Sequence, residues 1–178
     1  MAQAPIAGGG PLIPTLSGRI QTRIFLLVVV GGLWTILITP VVRATVDTGA
    51  MGTVGLTDVY QVTFAVLAIV LVLGILWELL YHALMQFRWE KDWPTLFGYV
   101  TIVNEGILAY WFATSVAAST DAGAPEWRLL LSGLTLTPFL VAFVTTWIVV
   151  NLFANNLMQV LFIRWRFRGG RILGGWTP

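Results

Sequence analysis

The sequence predicts an all-α polytopic membrane protein: a bundle of four transmembrane helices with both termini cytoplasmic. Three observations predict it. Of 178 residues, 57% are hydrophobic and only 10% charged, against about 45–50% and about 25% in a soluble domain. The mean hydropathy is +0.84. The charges are also gathered between long uncharged runs, and Lys and Arg alternate in number from one gap to the next. Eighteen charged side chains cannot cover a water-facing surface. Disorder is excluded as well, since it needs low hydrophobicity and high charge.

Residues 1–18 are uncharged and rich in Gly and Pro, and Gly8-Gly9-Gly10-Pro11 cannot hold a helix. They read as a flexible tail. Arg19 and Arg23 precede an uncharged run over 24–42. That run exceeds the 7–15 residues of a signal-peptide core and suits a retained span. Gly31-Gly32 within it lets another helix come close. Asp58 is placed to cap the second helix, with Gln61 as the partner of a capping box. The second span covers 59–86. Pro94 suits the first turn of a third, 96–118.

The last apolar stretch, 129–163, is too long for one crossing: about 35 residues make roughly 52 Å of helix, against about 30 Å of hydrocarbon. A kink near Pro138 is expected, with a short outer piece before it and the spanning helix from about 139 to 163. Arg19, Arg23, Arg88, Lys91, Arg164, Arg166, Arg168 and Arg171 fall on one side of these spans, and only Arg43 and Arg128 on the other. Cytoplasmic segments carry the positive excess.

Glu105 interrupts the third span about nine residues in, roughly 14 Å by helix rise, with Asn104 beside it. An intramembrane carboxylate must face the bundle or a cavity. It reads either as a proton or cation site, or as a protonated carboxyl hydrogen-bonded to a neighbouring helix. Glu78 and His82 share a helix face, as a proton relay or as a structural pair at a wet helix end. Asn151, Asn155 and Gln159 repeat every four residues along the fourth span. They either open a polar pocket with the two glutamates or supply interhelical hydrogen bonds.

The charged turn containing Arg88, Trp89 and Trp93 is an interfacial anchor or a partner-docking surface. The 164–178 tail interleaves Arg164, Arg166, Arg168 and Arg171 with Trp165, Phe167 and Trp176. Next to a span, anionic lipid is its nearest partner. The glycine pairs would let Ile172, Leu173 and Trp176 follow a neighbouring protein. Nucleic acid is not expected, for want of a basic stripe.

Cys is absent and His82 is the single histidine, so no cofactor or metal is expected. P-loop, Gly-x-Ser-x-Gly and His-Glu-x-x-His motifs are missing, and no soluble catalytic domain fits in the loops. The leading expectation is a non-enzymatic integral subunit or scaffold of a larger assembly in the cytoplasmic membrane, in contact with lipid and with other subunits or itself. The alternative is a small homo-oligomeric proton- or cation-coupled transporter or channel using Glu105. A lipid-modifying enzyme with Glu78 and His82 ranks third.

Overall fold

A computed structural model describes residues 15–46, 55–86, 95–118, 131, 134–162 and 172. All the regular structure among them is helical. Three helices are long and apolar enough to cross a membrane: Leu16–Ala44, Leu56–Leu84 and Leu136–Leu157. The protein is thus a multi-pass membrane protein.

The first helix, α1, starts at Leu16, well before the expected residue 24 and inside the stretch read as a tail. Thr15 is the reason. Its backbone is extended and its hydroxyl accepts from the Gly18 amide at 3.2 Å, so it serves as an N-cap. Arg19 and Arg23 consequently lie within the helix rather than ahead of it. A π turn, Leu26–Gly31, interrupts α1 before it continues as Gly32–Ala44. Pro40 sits in that second part. Proline has no amide to donate to the carbonyl four residues back. That carbonyl, on Ile36, instead accepts the Tyr60 hydroxyl of the next helix at 3.0 Å. A backbone acceptor stranded in hydrocarbon is thereby satisfied.

Helix α2 spans Leu56–Gln86. Asp58 lies in its first turn rather than at its cap, and its carboxylate accepts from the Gly55 amide at 2.9 Å. This is the backward-reaching half of a capping box. Helix α3 covers Thr95–Ala118, and Pro94 lies outside the described residues.

Helix α4 comprises Leu136–Leu152, a second π turn over Phe153–Leu157, and a last turn, Met158–Leu161. The expected kink at Pro138 is not there. Pro138 occupies the first turn of α4, where its missing amide has no intrahelical partner to lose. Ahead of the helix Leu134 and Thr135 are not helical, and the Leu134 amide donates to the Leu131 carbonyl.

Helix α1 packs against α2 and α4, and α3 packs against the same two from the opposite corner. The core holds Val66, Val70, Ala109, Phe139 and Phe143, with the two phenylalanine rings stacked at 5.5 Å. Large apolar side chains such as Leu33, Leu37, Val72, Leu76, Ile107 and Trp111 point outward, while Thr35, Thr39, Thr63 and Thr146 are buried. That distribution suits a hydrocarbon solvent, in which helices associate through small residues and hydrogen bonds rather than by hiding leucines. Thr39 and Thr63 link α1 to α2 through their hydroxyls at 3.0 Å, and the Trp34 indole donates to Thr145 of α4 at 3.1 Å.

Gly31 meets Leu67 of α2 and Thr146 of α4, whereas Gly32 has open space where a side chain would stand. Only the first of the pair therefore serves close packing. Gly106 brings α3 onto Phe143: an added Cβ would lie 2.8 Å from its ring edge. Gly106→Ala is expected to lower stability by about 1–3 kcal/mol through overpacking. Thermal unfolding in detergent would show it, and an unchanged midpoint would mean that this contact relaxes freely.

Candidate functional site

Three ionisable side chains from three helices meet inside the bundle. Arg23 lies about 10 Å along α1 from Leu16, and Glu105 about 15 Å along α3 from Thr95. Glu78 lies about 12 Å before the end of α2. Because α1 and α3 run opposite to α2, these offsets bring all three to a common level. One Arg23 guanidinium nitrogen donates to Glu78 Oε1 at 3.3 Å, and the other donates to Glu105 Oε1. The corner helices α1 and α3 are thus bridged across the bundle by a single guanidinium.

Glu105 is the most enclosed of the three: its side chain is 7% exposed, against 19% for Glu78 and 23% for Arg23. Arg23 Nε is buried and has no hydrogen-bond partner. Gly74, one turn before Glu78 on α2, makes the arrangement possible. A Cβ at Gly74 would fall onto the Arg23 guanidinium. Tyr81 lies within electrostatic reach of all three charges.

The cluster forms part of the wall of a cavity of about 450 Å³. Arg19, one helical turn before Arg23, lines it too. Leu26, Leu27, Val66 and Phe143 supply apolar wall, and the cavity reaches Thr35, Thr63 and Thr146 in the middle of the bundle. Both π turns border it, through Leu26 and Leu27 on α1 and Ala154 on α4. Such turns are frequent at functional sites, because they re-aim side chains without breaking the helix.

Electrostatics limits what the cluster can hold. The guanidinium stays charged at any accessible pH. A second cation about 4 Å from it would be repelled by about 4 kcal/mol at an effective dielectric constant of 20. The two carboxylates carry one charge more than Arg23 compensates.

Of the residues singled out from sequence, Glu78, Glu105 and Asn151 line the cavity. Asn104 does not: it is exposed, one residue and about 100° around α3 from Glu105. His82 is half-buried and off the cavity wall, and Glu78 accepts its bond from Arg23 rather than from His82. A guanidinium held between two carboxylates outcompetes an imidazole one turn away.

On α4, Asn155 does not join Asn151 on the cavity wall. Asn155 is exposed and donates back to Asn151, to its carbonyl at 3.0 Å and its Oδ1 at 2.7 Å. The π turn Phe153–Leu157 is the cause, since its i→i+5 bonding spoils a four-residue period. The side chain of Gln159 lies outside the described residues. So do Arg88, Trp89, Trp93, Arg164, Trp165, Arg166, Phe167, Arg168, Arg171 and Trp176.

Ile172, which the glycine pairs would let follow a neighbouring protein, packs in this structure on its own chain. It rests on the cluster of Leu26, Val30 and Met158, and its amide donates to Gln21 Oε1 at 3.1 Å.

Sequence reasoning missed Arg23, the centre of the site. Thr15 was the available signal, because a cap there moves both arginines into the membrane helix. Comparison of the chain with protein-family models, with curated proteins and with solved structures finds no match.

Proposed function

We propose that the chain is a four-span protein of the cytoplasmic membrane that works as a small homo-oligomeric proton- or cation-coupled transporter or channel, with Glu105 in the coupling site. The fourth span in this reading is α3, whose 24 residues make about 36 Å of helix, enough for the hydrocarbon core. Both termini lie on the cytoplasmic side, in keeping with the Lys and Arg excess there.

One observation carries the reading: the cavity that joins Arg23, Glu78 and Glu105 inside the bundle. Ionisable side chains at membrane depth are costly and, where they line a cavity, mark ion and proton pathways. A bundle serving only as a spacer has no need of an ion-lined cavity. Four spans leave little room for a complete pathway within one chain, which favours an oligomer.

The second reading is a non-catalytic subunit or scaffold that packs into a larger membrane complex and contacts lipid. The bridging of α1, α2 and α3 by Arg23 favours it, because such a clamp also serves as a plain structural lock. Neither reading assigns the chain a catalytic step.

Proteoliposomes containing the full chain and an internal pH dye separate the two. Under an imposed potential, the wild type is expected to pass protons or Na⁺, and Glu105→Gln to abolish the flux at equal incorporation and helicity. A wild type that passes neither ion, with a stoichiometric set of partners co-purifying in mild detergent, would establish the subunit reading instead.

A further inference from the structure

We propose that the Arg23–Glu78–Glu105 cluster binds one proton per chain, shared between the two carboxylates, and that the species it exchanges is a proton rather than a metal cation. The inference deepens the transport reading above and rests on it for the purpose of the exchange.

The charge count comes first. One guanidinium is bonded to two carboxylates, so these three residues, fully ionised, carry a single excess negative charge at membrane depth, with the Arg19 guanidinium a turn away on the same cavity wall. One added proton makes the three neutral and a second would make them positive. A buried site favours the neutral state.

The second argument concerns space. A metal cation bridging Glu78 and Glu105 would stand where Arg23 already stands, bonded to an oxygen of each. Arg23 is permanently charged and adds its repulsion to any cation that approaches. A proton needs no such place, since it attaches to a carboxylate oxygen that the guanidinium leaves open.

The third is the route. Exposure falls from Glu78 to Glu105. A proton entering from the accessible side meets Glu78 first and reaches Glu105 as the guanidinium shifts its bonds from one carboxylate to the other. The O–H bond broken on one carboxyl is replaced by one formed on the other, with the proton released to water at the end of the path.

Among the described residues, the titratable groups around the cluster lie on three helices. Arg19 and Arg23 come from α1, Glu78, Tyr81 and His82 from α2, and Glu105 from α3. Helix α4 offers Trp147 and Asn151 to the cavity and has no titratable side chain among its described residues.

Infrared titration of the full chain in lipid nanodiscs tests this. The wild-type spectrum minus that of the E78Q/E105Q double variant isolates the cluster from the six other carboxylates, which are common to both. From alkaline to mildly acidic pH, the difference is expected to show the carboxylic C=O stretch of one group per chain. Either single variant, Glu78→Gln or Glu105→Gln, should remove that signal entirely over the same range, because Arg23 and the remaining carboxylate already form a neutral pair. Replacing choline chloride with NaCl should leave the midpoint in place.

Two protons per chain, a signal lost in only one single variant, or a midpoint displaced by Na⁺ would each overturn the proposal. Circular dichroism confirms that each variant is folded, and Glu78→Gln, at the more accessible position, carries the test if Glu105→Gln is not. A proton signal without flux in proteoliposomes would reject transport and leave the proton site standing. Proton or Na⁺ flux without the signal would do the reverse.

Discussion

Arg23→Gln is expected to destabilise the bundle by about 3–5 kcal/mol, the range seen when one partner is removed from a buried ion pair. The size follows from what is left behind. Glu105 is 5% exposed as a residue, and its carboxylate accepts from the Arg23 guanidinium. Without the guanidinium, the two carboxylates face one cavity and lose the cation that bonds both. The neutral amide of Gln cannot offset their charge. Its shorter side chain also fails to span from α1 to α3.

Two corollaries make the prediction specific. Acid should relieve the deficit, because protonated carboxyls no longer need the cation, so the variant loses most in alkaline medium. Glu78→Gln and Glu105→Gln, added to Arg23→Gln, should recover much of the loss, since a cavity of neutral amides leaves no charge uncompensated. Thermal midpoints in detergent across pH check both. A loss independent of pH and unrelieved by the triple variant would mean that Arg23 acts through the packing of its alkyl stem.

The membrane class and the approximate course of α2 and α3 were legible because they rest on composition and on runs of apolar residues, which hydrocarbon imposes directly. Glu105 and Glu78 were legible for the same reason: a carboxylate stands out in such a run. Arg23 was not, for it lies at the foot of the run and looks like a flanking charge. Its role depends on where α1 starts, which the hydroxyl of Thr15 decides outside the apolar pattern. The two π turns were equally hidden. A period of four along Asn151, Asn155 and Gln159 assumes unbroken α-geometry, and the π turn between Phe153 and Leu157 moves Asn155 off the cavity. Pro138 lies in the first turn of α4, the role the sequence offered for Pro94, and the apolar pattern around it does not distinguish that role from a kink. Which faces of different helices meet is a tertiary fact that periodicity within one helix does not contain.

Gly74→Ala offers the sharpest test of the cluster, because its sign should reverse with the residue at position 23. In an otherwise native chain the new methyl group would fall onto the Arg23 guanidinium. The guanidinium is the end of a flexible side chain and can move aside, so the steric cost itself is small. Moving aside, however, pulls it from Glu78 and Glu105, and charged hydrogen bonds contribute about 1.5–3 kcal/mol each. A net loss of about 1–3 kcal/mol is therefore expected. In the Arg23→Gln background there is no guanidinium to displace and no ion pair to weaken. There, Ala should be neutral or stabilising by up to about 1 kcal/mol, its intrinsic advantage over Gly within a helix. The four proteins of this double-mutant cycle differ by the coupling energy between the two positions. Their unfolding midpoints measure it without reference to any transported species. A coupling near zero would mean that Gly74 is there for another reason and that Arg23 reaches the two carboxylates without needing the space above it. A positive coupling of the expected size would make Gly74 as much a part of the site as the charged residues, although it carries no functional group.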